Sequence, residues 1–183
     1  MLNHLKQWSL HNLRLLNWGL IVGSVVLCSL AMPVRLPSME LAGIGPNWLL
    51  IWVVTWSMKR NVVQGALAGL VLGWIQDSLT APHPTHAIAL AAVGMLTARL
   101  QKQRFIVEDF ISVALIVFGM VILAETILAI QMAAYHGDLS LQEIWFNHRQ
   151  VALSSAILTS LWAPAIYYPL NRWWQFLRVL EQA

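Results

Sequence analysis

Runs of apolar residues of helical length are separated by short polar connections, and nearly all of the cations fall in alternate connections; this pattern limits what the chain can become. The runs are residues 15–32, 46–58, 62–79, 84–98, 110–135 and 151–170. A bilayer core takes roughly 20 apolar residues per helix, fewer where neighbouring helices shorten the path. Taking the connections in order, Lys6, Arg14, Lys59, Arg60, Arg99, Lys102, Arg104, Arg172 and Arg178 fall on one side, and only Arg35 and Arg149 on the other. By the positive-inside rule the number of spans is even and both termini are cytoplasmic. Residues 1–183 then form one transmembrane domain of six helices, an all-α integral membrane bundle.

Composition closes off the soluble alternatives. With 58% hydrophobic residues, 10% charged residues and a mean hydropathy of +0.65, the chain lacks the charge to coat a water-facing surface. The basic pI of 9.4 follows the topology signal rather than a nucleic-acid footprint. The ten tryptophans suit aromatic belts at the two interfaces. The first apolar run, preceded by a long polar region and itself long, reads as a retained anchor rather than a signal peptide. The flanking segments "MLNHLKQWSLHNL" and "NRWWQFLRVLEQA" read as short interfacial helices on the inner leaflet, the second through Trp173, Trp174, Phe176 and Leu177. The lone Cys28 reads as a small packed hydrophobe.

Polar residues at membrane depth are the functional leads. Glu125 lies in "VILAETILAIQM", where it either satisfies an interhelical hydrogen bond or lines a polar cavity or partner contact. Gly65, Gly69 and Gly73 repeat every four residues and the same beat ends at Asp77, next to Gln76. A stripe without side chains admits a closely packed helix. Asp77 stands near a helix C-terminus, where an anion is unfavourable. It therefore either caps the turn or the start of the fourth span, or bonds to His83, His86 or a partner. A metal site from Asp77, His83 and His86 is disfavoured because Pro84 splits the histidine pair. No nucleophile elbow, metalloprotease helix or phosphate loop is present, and no cofactor is expected.

The stretch from Pro46 to Leu100, "PNWLLIWVVTWSMKRNVVQGALAGLVLGWIQDSLTAPHPTHAIALAAVGMLTARL", resembles the rod shape-determining protein MreD family. The proline-led second span, the glycines at 65, 69 and 73 before Asp77, and His86-Ala87 opening the fourth span carry the likeness. Trp74, and Pro84-Thr85 before the histidine, depart from the family pattern.

That resemblance implies a non-enzymatic membrane scaffold of the cell-elongation complex in the bacterial inner membrane. It implies MreC as direct partner, and MreB, RodA and its partner transpeptidase through the complex that directs peptidoglycan synthesis. The glycine stripe and Asp77 would receive the MreC helix. The family also looks similar in fold to the substrate-binding subunit of energy-coupling-factor vitamin transporters, which supplies the alternative function, with Glu125 and Asp77 lining a pocket. An intramembrane enzyme using either carboxylate as acid or base is the weakest reading, since no nucleophile or metal accompanies them.

Overall fold

The computed structural model describes residues 10–34, 40–41, 43–80, 85–102, 109–135 and 141–182. Among these it is all-helical apart from an isolated bridge between Leu41 and Ile44, whose turn has Gly43 at φ 78°. The helices are α1 (Leu10–Ala31), α2 (Trp48–Ser57), α3 (Val62–Leu79), α4 (His86–Lys102), α5 (Phe110–Tyr135) and α6 (Leu141–Gln182). Residues 62–79, 110–135 and 148–177 are long and apolar enough to cross a membrane, and Leu15–Ala31 and Trp48–Ser57 are shorter apolar helices.

The centre of the bundle is α2. Its ten residues span about 15 Å at 1.5 Å per residue, half of a hydrocarbon core. It is apolar around nearly its whole circumference, and a helix of that kind belongs inside. Leu49, Leu50, Ile51, Val53 and Val54 are fully buried, and every other helix touches α2. Its start is fixed twice at Asn47. The side-chain oxygen accepts the Leu50 N–H at 3.0 Å as an N-cap, and the backbone N–H donates to Thr159 Oγ1 of α6 at 3.0 Å.

Tryptophan is divided between the outer surface, with Trp18 and Trp74 exposed, and the interior. Trp52 and Trp174 are buried in the core. Trp52 donates its indole N–H to Ser24 Oγ of α1 at 2.8 Å while stacking on Trp56, whereas the Trp174 Nε1 has no hydrogen-bond partner among the described residues. The C-terminal tail departs from the interfacial expectation. It continues α6 without a break, so that α6 runs for 42 residues, about 63 Å, with Trp174 and Leu177 packed into the core. Residues 1–9, which include most of the expected N-terminal interfacial helix, lie outside the described residues.

The closest packing is between α3 and α4. A Cβ placed on Gly69 would stand 2.0 Å from the Leu90 carbonyl oxygen, and one on Gly73 2.2 Å from Ala87 Cα. Gly65 and Gly94 face each other, so a Cβ on either meets the other's carbonyl oxygen, at 2.4 and 2.1 Å. The three-glycine stripe is therefore filled by α4 of the same chain. The groove that the resemblance offers to MreC is thus lined by α4. Gly69→Ala is expected to destabilise the fold by about 1–3 kcal/mol, because the obstacle is backbone and cannot rotate away. Gly119→Ala, with nothing within 4 Å of the new methyl, should stay within about 0.5 kcal/mol. Thermal unfolding of both variants in detergent checks the contrast, and equal midpoints would count against the packing argument.

Candidate functional site

The four-residue beat delivers Asp77 to the first turn of α4. Asp77 lies within the last turn of α3, and its side chain is 12% exposed. Its Oδ1 accepts the backbone N–H of His86 at 2.7 Å and lies 2.8 Å from His86 Nδ1, while Oδ2 accepts the Thr85 hydroxyl at 2.6 Å. An ionised carboxylate only accepts, so His86 carries its proton on Nδ1. Thr85 immediately precedes α4 and its Oγ1 accepts the Ala87 N–H at 3.2 Å. The first N–H groups of a helix have no partner inside it, and its N-terminus favours an anion. Asp77 therefore supplies a second cap from the neighbouring helix, which offsets its unfavourable place at the end of α3. Both sequence expectations for this residue meet here, since it caps the start of α4 and bonds His86.

Two further contacts extend the polar cluster to α5 and α6. Gln131 of α5 brackets the backbone of Thr85, its Oε1 accepting the N–H at 3.1 Å and its Nε2 donating to the carbonyl at 3.2 Å. Glu125, also on α5, pairs with His148 of α6, with Nε2 3.5 Å from Oε2 and in contact with the Glu125 carbonyl oxygen. The carbonyl is an acceptor, so His148 carries a proton on Nε2. The Glu125 and His148 side chains are 13% and 17% exposed. Asp77, Thr85, His86, Gln131, Glu125 and His148 thus tie α3 to α4, the entry of α4 to α5, and α5 to α6.

The cluster joins helices to one another: His86 bonds the Asp77 carboxylate, and His148 lies 3.5 Å from that of Glu125. No group of three His, Cys, Asp or Glu able to hold a metal occurs among the described residues. Gln76 is buried beside Asp77, but its Oε1 has no hydrogen-bond partner among the described residues. His83 lies outside the described residues. Sequence reasoning missed Thr85 and His148 as site members and did not connect Gln131 to the α4 entry. Thr85 had a readable signal, since threonine directly before a helix is an N-cap residue.

Asp77→Ala strands the His86 N–H and the Thr85 hydroxyl, and should cost about 1–3 kcal/mol for each group left unpaired. Asp77→Asn, which keeps an acceptor oxygen, should cost less, and unfolding midpoints of the two variants give the order. Glu125→Gln and His148→Gln, combined in a double-mutant cycle, should show a coupling of about 0.5–3 kcal/mol. Additive losses would mean that the two side chains act independently.

No curated protein and no solved structure shows significant similarity to the chain. A family match does cover most of it: residues 12–170 match rod shape-determining protein MreD, and they contain every member of the polar cluster and the whole α3–α4 hairpin. This chain, an all-α membrane bundle, belongs to the MreD family of rod shape-determining proteins.

Proposed function

We propose that the protein is a non-enzymatic scaffold of the cell-elongation complex in the bacterial inner membrane, with both termini in the cytoplasm, and that MreC is its direct partner. The family match over residues 12–170 carries this reading. MreB, RodA and its partner transpeptidase join through the same complex, which directs peptidoglycan synthesis. The engagement of Asp77 by His86 and of Glu125 by His148 supports a structural over a catalytic use of the two carboxylates. It also weighs against the vitamin-transporter alternative, in which the same carboxylates would be free to line a pocket.

With the glycine face of α3 occupied by α4, the membrane helix of MreC packs on another flank. The face of α1 carrying Gly19 and Gly23 is open, with nothing within 4 Å of either glycine, and Leu27 and Leu30 are 70% and 64% exposed. Small residues four apart permit close helix approach in lipid.

Mass spectrometry of the detergent-purified protein from its native membrane tests the reading. MreC should co-purify with the unaltered chain. Gly23→Leu should reduce MreC recovery while leaving the unfolding midpoint in place, whereas Gly69→Leu should lower both. An energising ATPase or a retained vitamin in place of MreC would overturn the scaffold assignment. Undiminished MreC with Gly23→Leu would remove α1 as the docking flank.

A further inference from the structure

A second polar feature lies far along α6 from His148. Tyr168, Asn171, Arg172 and Gln175 recur at steps of three and four, which places them on one stripe of the helix. With Pro169 they line an open cavity of about 540 Å³. Arg172 is exposed, and makes no hydrogen bond or ion pair with a described residue. Beside it Tyr168 stacks on Phe110 of α5, with ring centroids 6.4 Å apart. Phe110 and Leu161 extend the surroundings with apolar surface, at 56% and 67% exposure. The cavity lies near the C-terminal end of the apolar stretch 148–177.

We propose that this cavity binds the phosphate of an anionic phospholipid headgroup, with the acyl chains lying over the apolar surface around Phe110 and Leu161. A guanidinium presents a planar fork of donors that matches phosphate oxygens in pairs. The Gln175 amide and the Tyr168 hydroxyl add neutral donors from the same stripe. The lysine and arginine distribution places this end of α6 on the cytoplasmic side, where basic pockets beside membrane helices take anionic headgroups. Free phosphate shares the oxyanion chemistry, but it has no use for the apolar neighbours. The lipid therefore fits both halves of the site. The inference draws on the topology in the scaffold reading and is independent of which protein partner binds.

Native mass spectrometry of the delipidated full-length protein, titrated with phosphatidylglycerol or phosphatidylcholine, tests the proposal. Phosphatidylglycerol should be retained in preference to phosphatidylcholine. Arg172→Gln should weaken phosphatidylglycerol binding about fivefold, the effect of one basic residue at a membrane surface. Gln175→Leu should weaken it about threefold through the loss of one donor. Arg99→Gln, which removes the same charge from exposed α4 surface, should leave binding unchanged. Equal losses from Arg172→Gln and Arg99→Gln would show diffuse attraction instead of a site. The proposal is equally overturned by absence of a preference between the two lipids, by unchanged binding in both α6 variants, or by competition from millimolar inorganic phosphate.

Discussion

The backbone-to-backbone approach of α3 and α4 is the contact on which the other polar and apolar arrangements depend. Lipid is as apolar as leucine, so two helices gain little from burying apolar side chains against each other and must gain from close fit. Dispersion contacts are individually small and fall steeply with a gap of even half an ångström. Gly65 against Gly94, Gly69 against Leu90 and Gly73 against Ala87 remove that gap along the length of the hairpin. The same approach brings the Asp77 carboxylate to 2.7 Å from the His86 N–H. Side chains at the glycine positions would separate the helices and break the cap. The positions that a Cβ on Gly94 or Gly65 would take are also 3.2 Å from Val53 Cγ1 and 3.1 Å from Ser57 Oγ, so α2 rests directly on the crossing.

From that hairpin outward, the helices are joined by side chains placed where each leaves no ionised group alone. A charged group at the centre of a membrane helix costs about 2.5–3.5 kcal/mol on insertion scales. Glu125 Oε2 lies 3.5 Å from His148 Nε2, and Asp77, at the end of α3, caps α4. Neutral bonds join α2 to its neighbours, through Trp52 with Ser24 of α1 and Asn47 with Thr159 of α6. The result is uneven. The α3–α4 hairpin is held along its length, whereas α1 adds few contacts to the Trp52 bond and exposes much of its apolar surface.

The all-helical membrane class was legible in the alternation of apolar runs and cations. The glycine beat announced a close helix contact. What the beat did not disclose was the identity of the neighbour. Ala87, Ala91 and Gly94 form a matching small-residue stripe on α4, but a stripe becomes a partner only when helix rotation is known, and rotation is settled by tertiary packing. His148 was invisible for a related reason. It lies 23 residues beyond Glu125 across a connection, and only the register of α5 against α6 brings the two together. The tail misled because tryptophans beside arginines have the composition of a surface helix, whereas Trp174 and Leu177 face the core of one continuous α6.

A bundle whose best groove is filled from within has to recognise its membrane partner through surfaces that lipid also covers. On such surfaces an exposed leucine carries little information, because a lipid tail solvates it as well as a protein would. Leu27 at 70% exposure is therefore unremarkable. Gly19 and Gly23 differ, because a helix can approach their bare backbone more closely than it can approach a leucine-covered face. In that contact the added attraction comes from close fit rather than from removing oil from water. The rule that binds α4 to α3 inside the chain thus also governs what can bind from outside, and it favours the flank of α1 over a face that is merely apolar.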